Sequence, residues 1–184
     1  MSTVQQHALV FPFPLQGHIA PLLQLSQHLA ASYGFLITFI NTEVNHASSL
    51  RALSKLQLAA SADACARINM LALSDGLPFD AERKPSNLSK LVHSMLQHMT
   101  PLLECVISER SQTSSPVTCV IADLFLPWMH DLAKHTGIPA FIGFHASSIA
   151  QFSSLFHIPL LVSMGQLNLD GRKLIILCML LCSV

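Results

Sequence analysis

The sequence predicts an α/β fold built on a Rossmann-like, doubly wound parallel sheet. Short apolar runs of strand length alternate with segments in which apolar residues recur at helical spacing. The apolar runs lack the polar–apolar alternation of half-exposed strands, so they are expected to be buried on both faces. Strands of this kind belong to parallel sheets that helices cover on each side. The length of 184 residues suits one domain rather than two.

Five apolar runs are the candidate strands. The second contains Ile37, Thr38 and Ile40, whose β-branched side chains favour strands. The third is the weakest, and an Asp-Gly-Leu-Pro loop at 75–78 follows it. The predicted strands are residues 8–13, 35–40, 68–73, 117–122 and 139–144.

Helical periodicity fills the segments between these strands. Pro21 is predicted to open the first helix, where its missing N–H is not needed, and Gly34 to end it. Ser86 is predicted to cap a long helix whose apolar face includes Met95, with a kink at Pro101. The other predicted helices are 45–54 or 48–54, 127–136 and 147–156.

The loop after the first strand carries a histidine in place of a glycine-rich phosphate loop. Of the three glycines that a dinucleotide-binding loop needs, only Gly17 is present, so nucleotide binding in the Rossmann manner is not expected. His18 is predicted to lie in this loop, just before the first helix. Ligands of open α/β sheets bind beyond the carboxyl ends of the strands, where the strand order reverses.

The expected strand order 3-2-1-4-5 brings Asp123 to the same place. In that order the first and fourth strands are neighbours; His18 follows the first, and Asp123 ends the fourth. A carboxylate beside an imidazole orients the ring and stabilises its protonated form. His18 and Asp123 are therefore predicted to form a general-base pair. The alternative is that His18 only caps or fills the loop.

Charge and composition argue against several classes of partner. Ten basic and ten acidic residues cancel, which removes an electrostatic case for nucleic acid or an anionic membrane. Charged residues are only 11% of the chain and hydrophobic residues 51%, so much of the surface is expected to meet something else. A missing second domain would explain this composition, and so would a poorly soluble product. His93 and His98 are five residues apart, as are His130 and His135, which does not place two rings on one helical face. No metal site is expected.

The cysteines and the apolar segments indicate where in the cell the protein is expected. The five cysteines form no C-x-x-C pair, which favours free thiols in a reducing, cytoplasmic compartment. The N-terminus has no basic region of the kind that opens a signal peptide. The last apolar run, 174–181, is shorter than the roughly 20 residues that a bilayer span requires.

Four motifs in order resemble a known family. Residues 8–45 and the block 119–128, which contains Asp123, carry most of the likeness, and the loop 75–78 and the Gly-Ile-Pro at 137–139 also fit. Over about residues 8–160 the chain is similar to the N-terminal half of plant-type family 1 UDP-glycosyltransferases. The positions that match the family's opening motif are Pro14, Gly17, His18 and Pro21.

The resemblance implies the N-terminal lobe of a two-lobed GT-B glycosyltransferase. His18 would deprotonate the acceptor hydroxyl and Asp123 would pair with it, so that the oxygen attacks the anomeric carbon with inversion. UDP-sugar, with glucose the expected sugar, would be the co-substrate, and no metal or other cofactor would take part. His145 stands where family members often carry Trp or Tyr. The small hydrophobic acceptor would be held by Gln16, Gly17, Met95, Phe144 and Ser147.

The expected organisation is an acceptor-binding domain over 1–165 and a hydrophobic tail over 166–184 that does not resemble the family. No motif of the family's UDP-sugar domain occurs in the sequence, so that domain is expected to be absent and the chain to be inactive alone. The alternative is a non-catalytic module that binds small molecules or interacts with other proteins. Either version could pair with a donor lobe or with a full-length relative.

Overall fold

The structure, a computed structural model, describes residues 5–57, 66–81, 83, 87–146 and 148–165. Within this part of the chain, five parallel strands form one sheet in the order β3-β2-β1-β4-β5. The predicted fold class and strand order are confirmed, and each strand overlaps its predicted range. The strands are β1 (His7–Phe11), β2 (Leu36–Thr42), β3 (Ile68–Leu73), β4 (Cys119–Asp123) and β5 (Ala140–Phe144).

Helices follow each strand and cover both faces of the sheet. Side chains of the first two helices pack in one core cluster, and side chains of the third and fourth pack in another on the opposite face. The sheet is therefore doubly wound, as predicted, but the expectation that every strand is buried on both faces is wrong for the edge strand β5, where Ala140, Ile142 and Gly143 are exposed. The helices are α1 (Gln16–Tyr33), α2 (Glu43–Gln57), α3 (Leu88–Ser111), α4 (Trp128–His135) and α5 (Ile149–Ser163).

The burial of the central strand β1 explains why residues 8–11 form an unbroken apolar run. All five of its residues are buried. Ala8 and Val10 face the cluster of α1 and α2, whereas Leu9 and Phe11 face the cluster of α3 and α4. Because successive side chains point to opposite faces, residues 8–11 of this strand are apolar at successive positions, where helices cover both faces.

The first helix begins earlier than predicted. Leu15 is its N-cap, and the backbone N–H groups of His18 and Ile19 already donate to the carbonyl of Leu15, at 2.9 and 3.0 Å. Pro21 lies inside the helix and removes one hydrogen bond to the carbonyl of Gly17, which the next turns of α1 tolerate. The prediction that Pro21 opens α1 is wrong, and His18 lies in the first turn of α1 rather than before it.

The long helix α3 runs through Pro101 as one element of 24 residues. Met95, Met99 and Leu103 form its buried face at four-residue spacing. Asn87 is its N-cap, and the predicted cap Ser86 lies outside the described residues. Helices α2 and α5 are longer than predicted. The tail 166–184 and Ser147 also lie outside the described residues.

Candidate active site

The carboxyl edge of the sheet brings together two side chains that are 105 residues apart. Phe11, the last residue of β1, pairs with Ala122 of β4, so the loop after β1 lies beside Asp123. The ring of His18 reaches Asp123 from the first turn of α1. Its Nδ1 lies 2.7 Å from Oδ2 of Asp123, and both residues are buried.

The carboxylate of Asp123 is held at both oxygens. Oδ1 accepts a hydrogen bond from the backbone N–H of Phe125 at 2.9 Å, while Oδ2 faces His18. An ionised carboxylate only accepts hydrogen bonds, so Nδ1 of His18 carries the proton in this contact. Nε2 of the neutral ring is then left with a lone pair, the form in which a histidine can take up a proton.

Two aromatic rings hold the plane of His18. Phe13 and Phe125 contact the imidazole edge-to-face, with ring centroids 5.5 and 5.4 Å from that of His18. The two phenyl rings also contact each other, at 5.9 Å. Packed aromatic walls restrict rotation of the imidazole and keep water from most of its surface, so its hydrogen bond to Asp123 is made in a region of low polarity.

A third titratable group lies near the pair. His145 follows Phe144, which pairs with Asp123 across β4 and β5. Partial burial lowers the pKa of His145; the charge of Asp123 raises it, and that of His18 lowers it further. No role for His145 is predicted from the sequence. Its position directly after the strand next to β4 is the signal that could have placed it beside the pair.

Several known proteins are similar to this chain in sequence and in fold. No protein-family model matches the chain. Over 169 residues it is 34% identical to UDP-glycosyltransferase 83A1 of Arabidopsis thaliana, which covers 90% of this chain and 35% of that protein. Over 141 residues it is 37% identical to (R)-mandelonitrile beta-glucosyltransferase of Prunus dulcis, which covers 75% of this chain and 28% of that protein.

A solved structure with a similar fold belongs to the same family as these relatives. UDP-glucose: anthocyanidin 3-O-glucosyltransferase in complex with UDP superposes with a TM-score of 0.64 at 26% identity, over 92% of this chain and 36% of that one. The chain belongs to the plant UDP-glycosyltransferases. It spans about a third of the length of the relatives it matches. Its sheet corresponds to the Rossmann-like N-terminal lobe of their GT-B structures, which confirms the predicted family and fold.

The residues predicted to hold the acceptor occupy different surroundings in this glycosyltransferase lobe. Gln16 and Gly17 are exposed in the first turn of α1, next to His18. Phe144 is half-buried at the end of β5. Met95 is fully buried in the core cluster that also contains Phe13. The first turn of α1 and the end of β5 thus both lie at the carboxyl edge, whereas Met95 is buried in the core; acceptor contacts by these residues stay predictions.

A buried ion pair fixes the loop that follows β3 on the same edge of the glycosyltransferase lobe. Arg83 donates from Nε and Nη2 to the two carboxylate oxygens of Asp75, at 2.8 and 3.0 Å. The hydroxyl of Ser94 on α3 donates to the backbone carbonyl of Asp75 at 2.8 Å. The sequence predicts the loop but not the ion pair, because a contact between a loop and a later arginine has no periodic pattern.

Across the described residues, no group of three or more His, Cys, Asp or Glu side chains is placed to hold a metal ion. In the same part of the chain, no helix combines the length and the apolar composition that a bilayer crossing needs.

Proposed function

We propose that the chain is the acceptor-binding lobe of an inverting UDP-glycosyltransferase in which His18 is the general base. The observation that carries this proposal is the 2.7 Å contact between Nδ1 of His18 and the buried carboxylate of Asp123. Asp123 would hold the proton on Nδ1 and keep Nε2 ready to accept another. A positioned base of this kind contributes about 10²- to 10⁴-fold to a rate.

The proposed reaction is a single displacement. The acceptor hydroxyl gives its proton to Nε2 of His18 while its oxygen attacks the anomeric carbon of the sugar. The bond from that carbon to the phosphate oxygen breaks with its electron pair, and UDP leaves. Asp123 stabilises the imidazolium that forms. Attack opposite the leaving group inverts the configuration of the anomeric carbon, and no step calls for a metal.

The surroundings of His18 favour a small hydrophobic acceptor. The rings of Phe13 and Phe125 that flank the imidazole offer apolar contact to the group that carries the hydroxyl. The name of the Prunus dulcis relative specifies mandelonitrile and glucose, which is consistent with an acceptor of this class and with glucose as the sugar. The predicted acceptor contacts at the first loop, Met95, Phe144 and Ser147 are part of the same proposal.

A second lobe would present the sugar nucleotide. Exposed apolar side chains occur at Ile142 of β5 and at Phe156 and Leu160 of α5. Exposed apolar surface of this kind suits contact with a donor lobe or with a full-length relative. Without such a lobe, nothing would orient the sugar or stabilise the leaving UDP, so the 184-residue polypeptide by itself is expected to transfer no sugar. A cytoplasmic location fits the free thiols of Cys105 and Cys119.

The test is a chimera in which residues 1–165 replace the corresponding part of UDP-glycosyltransferase 83A1. Release of UDP from UDP-glucose is measured with a panel of small aromatic alcohols. The chimera is expected to transfer glucose, and His18→Ala to lower the rate about 10²- to 10⁴-fold. His28→Ala is the matched control, since His28 lies exposed on the same helix and is expected to leave the rate unchanged.

Two results would count against this function. Transfer at the parental rate in His18→Ala would remove the general base. Binding of acceptors by the chain, without transfer in the chimera or in mixtures with an isolated donor lobe, would favour a non-catalytic binding module instead.

A further inference from the structure

The segment between β3 and α3 closes around the side chain of Arg83. Nε and Nη2 of Arg83 donate to the two carboxylate oxygens of Asp75, at 2.8 and 3.0 Å. The same guanidinium donates to three backbone carbonyls, those of Pro78 at 3.3 Å, Phe79 at 3.4 Å and Ala81 at 2.7 Å. A guanidinium is planar and directs its N–H groups along fixed lines, so these contacts fix the course of the backbone around it. Residues 75–81 and 83 are called the Arg83 loop below.

The Arg83 loop is also fixed to α3. The hydroxyl of Ser94 donates to the carbonyl of Asp75 at 2.8 Å, and Nδ1 of His98 donates to the carbonyl of Ser94 at 2.9 Å. Gly76 has a φ of +77°, and a Cβ at this position would collide with the ring of His98. Only glycine combines this backbone conformation with so close a contact. The loop therefore has one position relative to α3, and the side chains that it carries are presented in a fixed place.

The phenyl ring of Phe79 lies outside this packed loop. Phe79 is 77% exposed, the highest fraction among the large apolar residues of the described chain, although its carbonyl accepts a hydrogen bond from Arg83. Because the backbone that carries the ring is already fixed, little conformational freedom is lost when a ligand covers the ring. Such a ligand gains the apolar burial that the fold itself does not supply to Phe79.

Phe79 belongs to the same edge of the sheet as His18. The Arg83 loop follows β3 and so lies at the carboxyl edge. Leu77 of this loop packs against the core cluster that contains Phe13, and the ring of Phe13 contacts that of His18. The strand order β3-β2-β1 puts two strand spacings of about 4.8 Å, roughly 10 Å in all, between the start of the Arg83 loop and the start of α1.

This separation bears on the length of the acceptor. In the proposed reaction the acceptor hydroxyl lies at Nε2 of His18, between the rings of Phe13 and Phe125. A single benzene ring that carries the hydroxyl is too short to extend from there to the Arg83 loop. Two linked rings are long enough, and the second ring can then pair with the phenyl ring of Phe79 in an offset or edge-to-face arrangement.

We propose that Phe79 is a specificity-determining residue of the acceptor site and contacts the second ring of acceptors that have two linked aromatic rings. The inference rests on the proposed acceptor site at His18 and names the class of acceptor that this site takes. The contact with Phe79 is expected to strengthen the binding of such acceptors about 3- to 10-fold, which is the range that one aromatic pair contributes.

Binding of two alcohols to the full 184-residue chain tests the proposal. Benzyl alcohol and para-phenylbenzyl alcohol carry the same reactive group and differ only by the second ring. Both are titrated by NMR, and the ring signals of His18 report binding at the candidate active site. Phe79→Ala is expected to weaken the binding of para-phenylbenzyl alcohol about 3- to 10-fold and to leave that of benzyl alcohol unchanged. Phe79→Trp is expected to keep the affinity for both.

Tyr33→Ala is the matched control, since Tyr33 is an aromatic residue that is 67% exposed at the opposite end of α1 from His18. This change is expected to alter the binding of neither alcohol. A nuclear Overhauser effect between the second ring of para-phenylbenzyl alcohol and the ring of Phe79 is a direct readout of the contact, which does not depend on the affinity of any variant.

The outcomes separate this inference from the proposed function on which it rests. If both alcohols move the His18 signals but Phe79→Ala weakens them equally or not at all, and no Overhauser effect reaches Phe79, the role of Phe79 is overturned while the acceptor site stands. If neither alcohol moves the His18 signals, the acceptor site itself is contradicted, and the role of Phe79 with it.

Discussion

His7 and His18 belong to the same strand–helix unit, yet their partners give them different chemistry. Both ring nitrogens of His7 face protein groups, the carbonyl of Ser115 and the hydroxyl of Thr38. His18 uses only Nδ1, toward Asp123, and its Nε2 has no hydrogen-bond partner among the described residues. A ring committed at both nitrogens supports the structure, whereas a ring held at one nitrogen can exchange a proton with a ligand.

Burial lowers the pKa of His7, which makes folding stability depend on pH. The folded state binds a proton less readily than the unfolded state, whose histidine titrates near pH 6.5. Neutral His7 therefore makes its full contribution to the free energy of unfolding above about pH 6.5. This contribution is lost as the pH falls from there through the lower pKa of the folded state. Within that window the loss is at most about 1.4 kcal/mol per pH unit.

The measurement is denaturant unfolding at a series of pH values from about 7.5 down to 5. His7→Gln is expected to flatten the decline below pH 6.5, and to lower stability at pH 7.5 by about 1 kcal/mol for the lost buried hydrogen bond. His93→Gln, at an exposed histidine of α3, serves as the control. If His7→Gln retained the full acid slope of the parent, the assignment of this pH dependence to His7 would be wrong.

At the scale of elements, the ion pair of Asp75 and Arg83 lies within the segment between β3 and α3, and the hydroxyl of Ser94 on α3 donates to the carbonyl of the same Asp75. The Arg83 side chain is 9% exposed and that of Asp75 is 3% exposed, so removal of one partner leaves a buried charge without compensation. Asp75 also receives the backbone N–H of Leu77 at Oδ1, at 3.1 Å. The loop conformation therefore depends on this one carboxylate.

Asp75→Ala is expected to lower the free energy of unfolding by about 3 kcal/mol or more, because Arg83 would remain buried without its partner. Asp131→Ala is the comparison: Asp131 faces His130 at 3.3 Å, but its side chain is 86% exposed. An exposed pair of this kind contributes about 0 to 1 kcal/mol. Urea unfolding of both variants measures the difference, and equal losses would show that burial of the Asp75 pair contributes nothing.

At the scale of the whole molecule, parallel topology explains how much of the site was predictable. Apolar runs predicted the strands, and the strand order then placed His18 and Asp123 at one edge without knowledge of any contact. The beginning of α1 was mispredicted because Pro21 is a strong local signal for a first helical position, yet the backbone was already helical from Gln16. The geometry of the loop after β1, rather than local helix propensity, sets the first residue of α1.

Other parts of the site lacked a sequence signal of their own. The Asp75–Arg83 pair depends on a contact between residues that have no common period in the sequence. His145 differs, since its position after β5 follows from the strand order once a residue at that strand end is considered. Tertiary contacts of charged side chains are thus the main feature that the sequence does not predict, because they repeat with neither a helical nor a strand period.

We propose that His18 and Asp123 act as one catalytic unit. The rate of glucose transfer by the chimera tests this in three variants: His18→Ala, Asp123→Asn and both changes together. Asparagine can donate to Nδ1 and so moves the ring proton onto Nε2, the nitrogen that must be free to accept one. Each single change is expected to lower the rate about 10²- to 10⁴-fold, and the double variant to be no slower than His18→Ala within about threefold. Losses that multiply in the double variant, or a parental rate in Asp123→Asn, would contradict the pair as the source of catalysis.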